Sequence, residues 1–226
     1  MIEHVYRRAA AARGVDAVVV ATDDARIALT VERFGGVVRM TRSIHRTGTD
    51  RIAEVAAELT CDIVVNVQGD EPLIEQEMIW QVIAPLESDS SVQISTLRQR
   101  ITRAADYADQ NVVKVVTDQD GNALYFSRSP IPFVRNPGAV PSGSVPHVGI
   151  PAWKHLGIYA YRRDFVLTFA NLPQTTLEVA ESLEQLRALE HGYRIRTVET
   201  QYESIGVDTP EDLERVRQLL AAPTRA

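Results

Sequence analysis

The feature that most narrows the fold is a repeated alternation: short runs of β-branched apolar residues, each followed by a segment whose apolar positions recur at helical spacing. Residues 15–24 (VDAVVVATDD) and 61–67 (CDIVVNV) are continuous apolar runs without a polar face, the pattern of strands covered on both sides. Around them the spacing predicts helices over residues 2–13, 24–36, 50–59 and 75–87, with a short strand at 37–40. The order α-β-α-β-α-β-α implies a parallel sheet with helices on both faces and ligand-binding loops at the strands' carboxyl ends. The turns after Val20 and Val67 are therefore candidate walls of a site.

The second half changes pattern. Residues 91–98, 111–118 and 123–127 read as strands, the last two joined as a hairpin through an Asp-Gly turn. Residues 154–162 and 194–200 read as further strands, and 163–172 and 177–192 as helices. A final helix is capped by Thr209, with Pro210 at its first position. Six of the eleven prolines fall in 129–151, which predicts a flexible Pro/Gly-rich surface loop or lid, or equally a disordered segment. The expected class is α/β: a mostly parallel sheet with helices on both faces and a smaller antiparallel part, in a single domain over 1–226.

Composition excludes several classes. The net charge is −6 and the basic residues are scattered, so no nucleic-acid footprint exists. The apolar run near the start is far shorter than a membrane span. Cys61 is the single cysteine and no cluster has zinc spacing, so a reducing, cytoplasmic setting is expected. Of 24 basic residues only Lys114 and Lys154 are lysine, which reads as a genome bias.

Two acids stand out. Asp70 and Asp208 each follow a β-rich segment at a turn into a helix, and two carboxylates with substrate phosphates are the usual way to hold Mg²⁺. Spacing alone favours the plainer reading, that each is a turn or capping residue. Glu71, beside Pro72, reads as structural. In the polar loop RSIHRTGTDR (42–51), free N–H groups and hydroxyls could bind a base edge or a phosphate, or the loop could be a capped helix start with His45 exposed.

Arg128, His155, Tyr159, Glu184 and Gln185 are polar residues near element ends. Taken singly, each reads more readily as a surface or satisfied core group. Alternation along a strand does put His155, Gly157 and Tyr159 on one face, with Gly157 leaving room for a ligand. No Walker-type, dinucleotide, nucleophile-elbow or zinc-protease motif occurs.

Taken in order, VATDD, MTRSIHRTGTDR, VVNVQGDEPLI, NVVKVVTDQDGNALYFSRSPIP, KHLGIYAYR, LEVAESLEQLRALEHG and GVDTPEDLERV resemble one family. It is that of the 3-deoxy-manno-octulosonate cytidylyltransferases, the CMP-Kdo synthetases of lipopolysaccharide biosynthesis. The resemblance implies a Rossmann-like nucleotidyltransferase, usually a homodimer, in which the anomeric 2-hydroxyl of Kdo attacks the α-phosphate of CTP. It implies Asp70 and Asp208 as Mg²⁺ ligands. It implies Gln68, Arg128, His155, Tyr159, Glu184 and Gln185 as Kdo contacts. Thr47, Gly48, Thr49 and Arg51 match the segment near the cytidine, where the family usually has serine at the position of Thr47.

Met1 aligns with the helix after the family's opening strand and its arginine- and lysine-bearing phosphate loop. The expectation is a start placed downstream, with activity of this form impaired. Alternatives are a non-catalytic partner-binding remnant and a cytidylyltransferase for a related 2-keto sugar acid.

Overall fold

The computed structural model describes residues 1–45, 47–135, 151–203, 205–207 and 209–221. Asp208 and residues 136–150, the greater part of the proline-rich segment, lie outside them. In chain order the elements are α1 (Ile2–Ala10), β1 (Val20–Thr22), α2 (Ala25–Arg33), β2 (Val38–Met40), α3 (Gly48–Ala57), β3 (Ile63–Asn66), α4 (Gln76–Ser88), β4 (Ile94–Arg100), α5 (Ala104–Ala108), β5 (Lys114–Thr117), β6 (Ala123–Ser127), β7 (Trp153–Arg162), α6 (Arg163–Ala170), α7 (Thr176–Glu181), α8 (Gln185–Glu190), β8 (Arg196–Thr200) and α9 (Pro210–Ala221). They fall into two compact units: Met1–Thr60 with Asn66–Trp80 and Tyr202–Ala226, and Cys61–Val65 with Gln81–Gln201.

In the first unit, Asp24 starts α2 by accepting from Arg26 N at 2.8 Å, and that helix buries Ala28 and Val31. The chain then turns at Gly36, where a Cβ would lie 2.5 Å from Phe34 Cε2 and 2.7 Å from Val31 Cγ1. Only glycine permits so close a pass. β1 and β2 pair in parallel from Val20↔Val38 to Thr22↔Met40. Of the run expected as a strand over 15–24, only Val20, Ala21 and Thr22 are paired, against a β2 that is itself three residues long. α9 opens with a reciprocal box in which Asp212 N donates to Thr209 Oγ1 at 3.1 Å and Thr209 N to Asp212 Oδ2 at 3.0 Å.

The second unit is built on a six-stranded mixed sheet of order β6-β5-β7-β4-β8, with β3 paired to β7. β8 runs parallel to β4, whereas β7 is antiparallel to both β4 and β5. The hairpin expected at the Asp-Gly turn is β5–β6. Gly121 adopts φ +83°, and the Asp118 carboxylate accepts from Asn122 N at 2.7 Å. Phe126, Ile94, Leu97, Ile158, Phe165, Phe169 and Leu186 are buried, each stabilising the unit by roughly 1.5–3 kcal/mol. The five-residue α5 was not expected, since one turn carries no readable periodicity.

The single helix expected over 177–192 is broken. Ser182 takes a left-handed conformation, φ 52° and ψ 48°, which divides it into α7 and α8. Arg187 explains the break: its guanidinium grips the Glu178 carboxylate at 2.8 and 2.5 Å, with both side chains buried. On a straight helix those positions would stand about 13.5 Å apart along the axis, on opposite faces. The Glu178 carboxylate also accepts from Thr175 N at 3.2 Å, and Arg187 lies 5.2 Å above the Phe169 ring.

Removing one partner strands a buried charge. Arg187→Met should lower the unfolding free energy in urea by about 3–5 kcal/mol, and adding Glu178→Leu should restore at least about half of that.

Candidate active site

In the first unit, Thr47 is the N-cap of α3, its Oγ1 accepting from Asp50 N at 3.1 Å. The helix therefore starts at Gly48, one or two residues earlier than expected, and a Cβ on Gly48 would meet nothing within 4 Å. Thr49 is buried. Arg51 reaches back to the VATDD turn, forming an ion pair with Asp23 Oδ2 at 3.2 Å and donating to Thr41 Oγ1. His45 is not exposed as the capped-start reading had it, because its ring is covered and bonded to Glu54. His45 and then Arg42 hold the Glu54 carboxyl below its ordinary range.

The QGDEP segment is a turn: Glu71 N donates to Gln68 O at 3.4 Å, which leaves Asp70 at the bend and uses the Glu71 backbone to close it. Gln68 is exposed and donates from Nε2 to Asn66 Oδ1 at 3.3 Å. Val207 N donates to Asp70 O at 2.9 Å, so the residue before Asp208 in the chain is tied to Asp70. Among the described residues no group of three or more His, Cys, Asp or Glu could hold a metal. Mg²⁺ needs no such cage, since it keeps waters and takes phosphate oxygens beside one or two carboxylates.

In the second unit, β7 is interrupted by a bulge. Leu97 pairs with Leu156 but Thr96 pairs with Tyr159, so Gly157 and Ile158 stand as extra residues against β4. The bulge leaves the His155 and Tyr159 rings neighbours at 5.3 Å, with Phe126 edge-on to His155 at 5.0 Å. A Cβ on Gly157 would meet nothing within 4 Å, which agrees with the room expected beside it. His155 Nε2 lies 3.0 Å from Thr96 Oγ1.

Burial pushes the His155 pKa down to about 3, so the ring is neutral near pH 7 and a poor general base. The Tyr159 hydroxyl is pushed well above its usual range by burial, then by Tyr161 and Glu184, so it stays a protonated donor. Gln185 opens α8, and its buried Nε2 has no hydrogen-bond partner among the described residues. A buried amide donor of that kind costs about 1–3 kcal/mol until an acceptor arrives.

Arg128 is anchored where α7 ends. Its Nε donates to Glu181 O at 2.8 Å, its Nη1 to Gln110 O at 3.2 Å and its backbone N to Glu181 Oε2 at 2.9 Å. Arg128, Glu184 and Gln185 thus border the same α7–α8 break, and Glu184 acts electrostatically on Tyr159, which neighbours His155. Sequence reasoning missed Thr96, Glu181 and Lys114, which hold these groups from beneath. The isolated lysine among arginines was the one signal that could have pointed to Lys114.

A cytidylyltransferase family model matches residues 1–198. The 3-deoxy-manno-octulosonate cytidylyltransferase of Pelobacter propionicus is 57% identical over 223 residues, covering 98% of this chain and 88% of that protein. The protein of the same name from Geobacter sulfurreducens is 57% identical over 221 residues, covering 97% and 88%. The solved structure of a CMP:2-keto-3-deoxy-manno-octonic acid synthetase complexed with CTP matches with TM-score 0.89 and 44% identity, over 97% of this chain and 87% of that one.

His155 links stability to pH. The unfolded imidazole protonates near 6.5 while the folded one resists until about 3, so the unfolded chain binds more protons between those values. The contribution is complete above the unfolded pKa and is lost as pH falls towards the folded one. His155→Asn should therefore lose less unfolding temperature than the wild type between about pH 7.5 and about pH 5; equal losses would remove His155 as the source.

Proposed function

This chain belongs to the cytidylyltransferase family, and we propose that it transfers CMP from CTP to 3-deoxy-manno-octulosonate, releasing pyrophosphate. The observation that carries the reading is 57% identity over 98% of the chain to a protein named for that activity. The family match spans residues of both units, which supports taking them as parts of one nucleotidyltransferase domain.

In this reading the sugar's 2-hydroxyl gives up its proton to solvent as its oxygen bonds to the α-phosphorus, the bond from that phosphorus to the oxygen bridging the β-phosphate breaks, and pyrophosphate leaves with that oxygen. Thr47, Gly48, Thr49 and Arg51 take the cytidine, with Arg51 fixed by Asp23 so that its position is set before the nucleotide arrives. Asp70 and Asp208 hold Mg²⁺; the bond from Val207 N to Asp70 O supports that pairing. The ion supplies charge neutralisation on the triphosphate.

Arg128, His155, Tyr159, Glu184 and Gln185 take the sugar acid, as does Gln68. The guanidinium, the phenol and the unsatisfied Gln185 amide are donors suited to a carboxylate and hydroxyls. Positioning and charge stabilisation are most of what phosphoryl-type transfer asks of a protein. We assign the setting to the cytoplasm, where CTP is available, and the working state to a homodimer. Among the described residues no helix is long and apolar enough to cross a membrane.

The test is pyrophosphate release from CTP and Mg²⁺ with and without Kdo; release that ignores Kdo overturns the assignment. Asp70→Asn and Asp208→Asn should each lower kcat by about 100-fold or more, the scale of a lost charge-stabilising contact. Their unfolding midpoints should stay near the wild type's. Unchanged turnover would remove the carboxylates from the metal site.

A further inference from the structure

Thr96 lies at the centre of the bulge in β7, fully buried, and its hydroxyl has three neighbours. They are Ile158 O at 2.8 Å, Leu156 O at 3.1 Å and His155 Nε2 at 3.0 Å. A hydroxyl has one proton to give and two lone pairs to accept with, whereas a carbonyl can only accept. If the proton pointed at His155, both carbonyl oxygens would face hydroxyl lone pairs at bonding distance without a proton between them. The proton therefore goes to a carbonyl, and the hydroxyl accepts from the imidazole.

We propose that Thr96 is a positioning residue that fixes His155 as the Nε2–H tautomer, so that Nδ1 is an acceptor dedicated to a hydroxyl of the sugar substrate. Nδ1 has no hydrogen-bond partner among the described residues. Burial keeps the second proton off the ring, so Nδ1 stays a lone pair near neutral pH. An acceptor facing a ligand selects a hydroxyl and repels a carboxylate, so His155 reads the polyol part of the molecule and leaves its acid group to cationic and N–H donors such as Arg128. The Phe126 edge and the Tyr159 ring lie against the imidazole, and the Thr96 hydroxyl stands at bonding distance from two carbonyls of the bulge.

The sugar assignment rests on the function proposed above, but the tautomer does not, and the experiment separates them. In protein labelled with ¹⁵N-histidine, long-range proton–nitrogen correlations are recorded near pH 7, with His155→Asn identifying the His155 signals. The wild type and Thr96→Ser should show the Nε2-protonated pattern, and Thr96→Val should lose it. In the pyrophosphate assay, Thr96→Val should raise the KM for Kdo about tenfold, the worth of one hydrogen bond, while the KM for CTP stays within about twofold. Thr96→Ser should restore the KM for Kdo.

An Nδ1-protonated wild type, or a Thr96→Val variant with unchanged pattern and unchanged KM for Kdo, overturns the proposal. If Thr96→Val does not fold, Thr96→Ala removes the same hydroxyl without adding bulk, and an Nε2-protonated pattern that persists there overturns the proposal. A wild type with the Nε2-protonated pattern but no Kdo-dependent release would sink the sugar assignment and leave the tautomer standing.

Discussion

Strand β7 is held between β4 and β5 and also pairs β3, and that confinement governs the rest of the second unit. A strand paired on both sides cannot tilt to aim a side chain, because each shift of register would cost a row of backbone bonds. It can only accept an extra residue or two. Gly157 and Ile158 are that insertion, and the hydroxyl of Thr96 occupies the gap they open. Phe126, His155, Tyr159 and Tyr161 then stand as a run of neighbouring rings with centroids 5.0 to 5.8 Å apart.

The α7–α8 break is the second constraint, and it works through charge. Glu178 and Arg187 are too deep to remain unpaired, and they meet only if the helix folds back at Ser182. Folding back exposes carbonyls at Glu181 and Ser182, and the Arg128 guanidinium takes both. A buried ion pair thereby sets the place of an exposed-edge arginine that never touches it. Gln185 begins the returning helix with its amide buried, a position a continuous helix would not have given it.

Features governed by local chemistry were legible in the sequence. The Asp118–Asn122 turn and the Thr209 cap are each decided within about four residues, and both stand where the spacing put them. Three kinds of feature were not legible. The bulge in β7 depends on Thr96, some sixty positions away in the chain. The break at Ser182 depends on an ion pair that helical periodicity cannot announce, since the apolar pattern of 177–192 continues across it. The length of β1 depends on how much of β2 is there to pair with it. Asp70 and Asp208 drew notice by their turns, but the roles of Gln68, Arg128, Glu184 and Gln185 were readable only through resemblance, because polar side chains near element ends look alike until a fold assembles some of them.

Lys114 shows how a compositional oddity becomes a physical one. The chain uses 22 arginines and two lysines, so arginine is its ordinary cation and a retained lysine asks for a reason. Lys114 is fully buried, and its Nζ donates to Asp109 O at 2.7 Å, Val112 O at 2.6 Å and Arg128 O at 2.5 Å. Three acceptors, two from the loop of residues 109–112 and one from Arg128, suit the three diverging protons of an ammonium, whereas a planar guanidinium would direct its donors into one plane and need far more volume. Burial lowers the lysine's pKa while three carbonyl dipoles favour its charge, and with every proton committed no donor remains for a phosphate. The ammonium instead fastens the backbone of Arg128 to the loop whose Gln110 O receives that arginine's own Nη1. Lys114 is thus a strut that holds the backbone of the residue proposed to bind the sugar.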